Sequence, residues 1–247
     1  MAAAGPLRLY LKERVIFMIK KIGILFADSM EYLPFLNIAK EYGGSQIIRR
    51  GNRSVGFSLP CKSGRVMLIG VECGIGKVCA ASAAAFLIAD DRVDYIFNAG
   101  LSGAVSGVRR GDIVAGSSFV ECDYDLTALG LALGEKTGGA PYIYDADPAL
   151  LALAETDSVK TGRLGTGDVF LSDPARKELY RKTFGLTAFD METAAIAGVC
   201  SRCGIPFLSL RQISDDADDA SGEAYREMND RAEDHLVRRL LDIAAQI

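Results

Sequence analysis

Carboxylates are the residues of this chain best suited to moving protons. Four of them, Asp215, Asp216, Asp218 and Asp219, crowd the stretch that begins "RQISDDAD" at residue 211, directly after the apolar run "IPFLSL". Asp190 and Glu192 open the otherwise apolar segment "FDMETAAIAG" (189–198), and Glu31 follows the apolar run "KIGILFA" (21–27). Carboxylates at the ends of apolar strands suit general acid–base work. One kept protonated by burial or like charge gives up a proton, and an ionised one takes a proton from water. Each also has a plainer reading. Taken alone, the Asp215 group reads more readily as a solvated capping turn and Glu31 as a first-turn helix acid, while Asp190 and Glu192 read equally as helix N-terminal acids favoured by the macrodipole.

Other chemistries find less material. The single histidine, His235, lies in a charged C-terminal segment, so Ser-His-Asp or Cys-His catalysis would rest on it alone. The six cysteines (61, 73, 79, 122, 200, 203) offer one CxxC, Cys200 to Cys203, on a predicted helix; no zinc site is expected, and reduced thiols in a cytoplasmic protein are. "GVECGIGK" invites a phosphate-loop reading, but the spacing fails and Val78 stands where Ser or Thr would hold magnesium. "NAGLSGAVSG" lacks the spacing and the distal acid of a dinucleotide fingerprint. Both read as glycine turns where backbone approaches a ligand or a neighbouring strand. Net charge is −4 with no long basic stripe, which argues against nucleic acid, and no run reaches the length of a membrane span.

The elements that must position these acids alternate. Strand-like runs at 21–27, 93–100, 111–121, "VKTGRLGTG" and "IPFLSLRQIS" are separated by helical stretches at 29–44, 74–91, "DPALLALAE", "DPARKELYRKT" and "METAAIAGVCSRCG". Three further strand-like runs fill 45–71, residues 122–147 read as irregular, and 221–246 reads as one long amphipathic helix. The pattern predicts an α/β fold with a mixed or largely parallel sheet covered on both faces. Ligands in such folds collect at the carboxyl ends of strands, here Ala27–Glu31, Gly100–Gly103, Gly165–Leu171 and Arg211–Asp218. "MAAAGPLRLYLKERVIF" (1–17) is set apart as an extension, because Met18 begins what reads as a fresh first strand. It has no convincing signal-peptide pattern.

Taken together, "KIGILFADSME", "CGIGKVCAA", "NAGLSGAV", "GDIV", "TGDVFL", "DMETAAIAGVC" and "PFLSLRQISDDAD" resemble, in this order, the 5′-methylthioadenosine/S-adenosylhomocysteine nucleosidases of the purine nucleoside phosphorylase-like superfamily. The resemblance spans about residues 20–245. It implies a three-layer α/β/α fold with a central mixed, twisted sheet, and a single nucleosidase domain over 18–247. It also implies hydrolysis of an adenine N-glycosidic bond with no cofactor and no metal, by a homodimer. By resemblance, Asp215 protonates adenine at N7, Glu31 activates water, and Glu192 holds the ribose hydroxyls, with Arg211 and Ser214 orienting water and Asp215. Phe170 and Leu171 match the adenine-stacking segment. Ile75, Met191, Ser102 and Gly103 match pocket positions, and Tyr225 matches an aromatic covering the 5′ side. Leu129 is the candidate for a wall supplied across a subunit interface.

Asn98 and Leu101 stand where phosphorylases of the hexameric type carry an Arg and a Ser for phosphate, which favours water as nucleophile. Asp at 215 favours 6-amino over 6-oxo purines. Two departures from the nucleosidase pattern bear on the 5′ side and on turnover. Asp28 replaces a usual Met, and Leu101 a usual Ser; Asp28 is expected near the sugar, favouring a polar or cationic 5′ group. Cleavage of another adenine nucleoside, such as 6-amino-6-deoxyfutalosine, phosphorolysis, and binding without turnover are the competing readings.

Overall fold

The structure is a computed structural model describing residues 19–247; the expected extension 1–17 lies outside the described residues. The apolar run after Met18 forms β1 (Lys20–Phe26). Its side chains alternate between two cores, as the two-residue period of a strand requires. Ile22, Ile24 and Phe26 enter one cluster, and Leu25 enters the other. Helix α1 (Ser29–Glu41) follows at once, and its Tyr32, Phe35 and Ile38 join the first cluster. Pro34 lies inside α1 and is buried there without ending it.

Strands β2 (Ile47–Arg49), β3 (Asn52–Cys61) and β4 (Gly64–Glu72) form an antiparallel edge, and β4 pairs in parallel with β1. Phe35 of α1 reaches this edge only because β4 has no side chain at Gly70: a Cβ there would sit 2.1 Å from the Phe35 ring. The Ala-rich helix α2 (Lys77–Phe86) ends in a π-helical turn, Leu87–Asp91. It packs beside α5 (Thr193–Cys203), with Ala80, Ala84, Ala194 and Ala197 in the second cluster. Small side chains on both helices allow that close approach.

Strand β5 (Tyr95–Ala104) pairs with β1 through residues 95–98 and, on its other edge, with β10 (Phe207–Asp215), both in parallel. Beyond the end of β1, Gly103 and Ala104 turn to pair with β9 (Ala188–Asp190). Strands β6 (Ile113–Glu121) and β8 (Val159–Thr166) complete a ring of pairings, β5–β10–β6–β8–β9–β5. The mixed sheet expected from the sequence is therefore present, and part of it closes on itself. Helices α3 (Pro148–Ala154) and α4 (Pro174–Phe184) each begin with proline behind an aspartate cap, Asp147 and Asp173.

Two expectations need correction. The middle segment is not wholly irregular: it contains β7 (Ile143–Asp145), paired to β6, and single 3₁₀ turns at Thr127–Leu129 and Thr137–Gly139. The C-terminal segment is two helices, α6 (Ser221–Asn229) and α7 (His235–Ala244). Ala232 adopts a left-handed backbone (φ 44°) between them. The break lets α7 bury Leu236, Val237, Leu240 and Ile243 against the first cluster, while α6 buries only Ser221. One straight helix could not face both ways.

Among the described residues no helix is long and apolar enough to cross a membrane. The Gly70 contact generates a direct test. Gly70→Ala should lower the unfolding free energy by about 2 kcal/mol, because the buried Phe35 ring must shift. Urea unfolding followed by circular dichroism would read it.

Candidate active site

The carboxyl ends of β1, β5 and β10 open into a cavity of about 330 Å³. That is enough for a nucleoside-sized ligand. Its centre is Arg211, on β10 with 1% exposure. The parallel register sets Arg211 beside Gly100 of β5, so its guanidinium meets acceptors from that strand. Nε donates to Ser102 Oγ at 2.9 Å, Nη1 to Asn98 Oδ1 at 3.1 Å, and Nη2 to the Leu101 carbonyl. Asp190 Oδ2 lies 3.7 Å from Nε, and Glu192 Oε2 lies 3.6 Å from Nη2. Burial alone would lower the Arg211 pKa; Asp190, Glu31 and Glu192 outweigh it and hold the group charged.

Each carboxylate is delivered by a different local device. Asp28 caps α1, which places Glu31 one turn in. Glu31 then accepts the backbone N–H of Ala27 at 2.9 Å and that of Leu101 at 2.7 Å. Gly100 leaves the space for this: a Cβ would lie 2.4 Å from Glu31 Oε1 and 2.8 Å from Arg211 Nη1. Asp190 is saturated, with Oδ1 taking the Thr166 hydroxyl and the N–H groups of Glu192 and Thr193. It serves as the cap for α5 and so leaves Glu192 free to face the cavity. Glu192 Oε1 accepts the Gly76 N–H at 3.0 Å. Gly76 has φ 96°, the left-handed region that favours glycine. The "GIGK" turn therefore presents its backbone to a carboxylate, and its Lys77 pairs with Asp123 and Glu121 rather than facing the cavity.

Asp215 ends β10. Its Oδ2 takes a 2.6 Å hydrogen bond from Ser214 Oγ, and its Oδ1 takes the Ala217 N–H. Gly103 faces it, since a Cβ there would come within 2.9 Å of Oδ1. Asp216 and Asp219 are exposed, and Asp218 turns back to cap its own loop with Ser221. The opening cluster of acids thus resolves into one cavity carboxylate and three outside it. Burial pushes the proton affinity of Glu31 up, with Asp28 adding to the rise and Arg211 opposing it. Burial likewise pushes Glu192 up, with Arg211 opposing and Asp190 and Glu31 adding.

The apolar side of the cavity comes from Ile75, Leu101, Phe170, Leu171 and Met191, and Tyr225 of α6 crosses it with its ring edge-on to Phe170, centroids 5.6 Å apart. Glu31, Glu192, Asp215, Arg211, Ser214, Ser102 and Gly103 line the same space. Two residues singled out from the sequence do not. Leu129 sits on the surface, 69% exposed, away from the residues that line this cavity. Asp28 stands behind the wall, where four donors occupy its carboxylate: the N–H groups of Met30 and Glu31, the Tyr225 hydroxyl and the Asn229 amide. A carboxylate offers about four lone-pair positions, so Asp28 has none left for a substrate cation. The sequence reading reached Ala27 and Val169 only as members of the strand-end segments, and it missed Phe189 as a lining residue. Phe189 was findable as the apolar neighbour of Asp190; Ala27 and Val169 carry no chemical signal. Among the described residues, no group of three His, Cys, Asp or Glu is placed to hold a metal ion.

A family model described as the phosphorylase superfamily matches residues 17–247. The partly closed mixed sheet and the cavity at its strand ends therefore define a member of that superfamily. A 5′-methylthioadenosine/S-adenosylhomocysteine nucleosidase from a Geobacillus species is 38% identical over 186 residues, covering 72% of this chain and 80% of the relative. The Helicobacter pylori nucleosidase of the same name, solved in complex with a substituted pyrrolidin-3-ol, superposes with a TM-score of 0.84 at 26% identity, covering 92% of this chain and 98% of that one. The futalosine hydrolase of the same bacterium superposes at 0.80 with 25% identity, covering 92% of this chain and 97% of that one. The chain belongs to the 5′-methylthioadenosine/S-adenosylhomocysteine nucleosidase family, enzymes that hydrolyse the N-glycosidic bond of adenine nucleosides.

The raised proton affinities make stability depend on pH. Glu31 and Glu192 both have folded values above the ordinary 4.5. Between that value and the raised one, the folded chain holds more protons than the unfolded chain. Their contribution is therefore fully present below the ordinary value and declines as pH rises through the folded values. Glu192→Gln removes one such titration. Its unfolding free energy relative to the parent should rise between about pH 5 and about pH 8, as read by urea unfolding at several pH values.

Proposed function

We propose that the chain hydrolyses 5′-methylthioadenosine and S-adenosylhomocysteine, with Asp215, Glu31 and Glu192 as the reacting carboxylates. The observation that carries the reading is their convergence: acids from α1, the α5 cap and the end of β10 meet in one cavity around Arg211. Asp215 donates its proton to adenine N7 as the C1′–N9 bond breaks and its electron pair passes to the base. Water adds to C1′ and gives its proton to Glu31. Adenine and the 5-thioribose product leave, and solvent carries the proton from Glu31 back to Asp215. A base with raised proton affinity is better matched to this transfer near neutral pH. Glu192 holds the ribose hydroxyls, and its charge favours the positive character that the sugar develops.

Water rather than phosphate as nucleophile is supported by the charge around Arg211. Its guanidinium already faces Asp190, Glu192 and Glu31, so a phosphate dianion would meet carboxylates there. Asn98 is fully buried, holding the Leu25 carbonyl and Arg211. The likeness to futalosine hydrolase favours one second reading: the same chemistry on an adenine nucleoside with a different 5′ substituent, such as 6-amino-6-deoxyfutalosine.

The test is adenine release from methylthioadenosine, S-adenosylhomocysteine, 6-amino-6-deoxyfutalosine, adenosine and inosine, with and without phosphate. We expect release that ignores phosphate, falling by about 10²–10⁴-fold in Asp215→Asn and Glu31→Gln. Release only with phosphate would overturn the hydrolytic reading. Binding without release would mean a protein that kept the site and lost turnover.

A homodimer fits the same reading. Leu129, Ile75 (54% exposed) and Val78 (80% exposed) present apolar side chains to the surface, with Ile75 on the cavity rim. The partner subunit's Leu129 would then complete the apolar side of the cavity. Light scattering should give twice the chain mass, and Leu129→Glu should shift it toward monomer with loss of substrate affinity.

A further inference from the structure

The use of Asp28 goes beyond capping a helix. A cap needs one acceptor, and Oδ1 supplies it, taking the N–H groups of Met30 at 2.8 Å and Glu31 at 3.0 Å. A serine would do as much. The second oxygen faces the opposite end of the chain, where it accepts from Tyr225 Oη and Asn229 Nδ2, both at 3.0 Å. Tyr225 and Asn229 are four residues apart on α6 and so share one helix face.

Helix α6 needs such a tether. It buries only Ser221, and it is bounded by left-handed backbone at Ala217 (φ 48°) before it and at Ala232 (φ 44°) after it. Among the described residues, its other side-chain hydrogen bonds to the body of the protein come from Arg110, which bonds the Ala224 carbonyl and Glu227 at the exposed surface. Yet α6 carries the Tyr225 ring that crosses the cavity. The element that covers the site thus fully buries one side chain, and its hydrogen bonds on the cavity side end on one carboxylate. That carboxylate belongs to the turn that delivers Glu31.

We propose that Asp28 is a positioning residue of the reaction: one oxygen orients the turn that carries Glu31, and the other seats Tyr225 over the substrate. The base and the cover are thereby set by a single side chain that does not itself line the cavity. This rests on the reading of Glu31 as the base. It also replaces the sequence-based expectation that Asp28 selects a polar 5′ group. Working from behind the wall, Asp28 acts on every nucleoside alike.

The two oxygens can be separated experimentally. Asp28→Ser keeps a capping oxygen and is too short to reach α6, whereas Asp28→Ala loses both functions. Tyr225→Phe keeps the ring and loses only the hydroxyl. Hydrogen exchange of the α6 amides in ligand-free protein reads the tether without any chemistry, and KM and kcat for two nucleosides differing at 5′ read its consequence. A hydrogen bond to a charged acceptor corresponds to about a tenfold effect. We therefore expect Asp28→Ser and Tyr225→Phe each to speed α6 exchange and to raise KM about tenfold for both nucleosides. kcat should fall by a much smaller factor in both.

Asp28→Ala should lower kcat as well, and the Asp28→Ser/Tyr225→Phe double variant should be no worse than Asp28→Ser alone. Unchanged α6 exchange in Asp28→Ser, multiplying effects in the double variant, or a reordering of the two nucleosides would each overturn the proposal. Should the parent protein release no adenine, the reading of Glu31 fails separately, and the exchange experiment still decides whether Asp28 tethers α6.

Discussion

A guanidinium buried as deeply as that of Arg211 demands counter-charge and acceptors in every direction it points. Leaving it unpaired would forfeit several kcal/mol, the penalty for taking an ion out of water. β5 answers with Asn98, the Leu101 carbonyl and Ser102. Asp190, Glu192 and Glu31 answer with charge. Burial raises the proton affinities of Glu31 and Glu192; Arg211 opposes the rise in both, and neighbouring carboxylates add to it, Asp28 for Glu31 and Asp190 and Glu31 for Glu192. The cavity lining thus carries four carboxyl groups, Glu31, Asp190, Glu192 and Asp215, against the one guanidinium of Arg211. The register between β5 and β10 decides this, because a slip of one residue would turn Arg211 to the other face of the sheet.

Around that ion the acids divide their work by how many donors already hold them. Asp190 is filled by Thr166 and the first amides of α5, and it keeps the helix in place. Asp28 is filled by α1 and α6. Glu192 accepts one backbone N–H and Glu31 two, leaving capacity directed into the cavity. The glycines between them matter for what they omit. Gly100 and Gly103 on β5 leave room for Glu31, Arg211 and Asp215 to approach the strand.

Much of this was legible beforehand. The alternation of apolar runs with helical stretches indicated the sheet and its two covered faces, and the strand-end rule picked out the segments that line the cavity. Boundaries set by packing were not legible. The long helix expected over 221–246 breaks because its two halves bury different faces, and β9 and β7 are too short to show a period.

Residue types and their order in the chain determined by themselves that carboxylates would stand at strand ends, where acid–base chemistry is possible. These are local properties: one titratable group beside one apolar run. Which acids keep hydrogen-bonding capacity facing the cavity and which are filled by the fold was decided by tertiary structure alone. "DMET" contains two acids that differ little as sequence, and "ISDDAD" contains three. Only distant partners separate them: Thr166 and the α5 amides for Asp190, Gly76 and Arg211 for Glu192, Ser214 and Gly103 for Asp215. Asp28 shows this most plainly, because the donors that occupy its second oxygen lie about two hundred residues along the chain. Proton affinity and hydrogen-bonding capacity depend on neighbours in space, and only the folded chain brings those neighbours together.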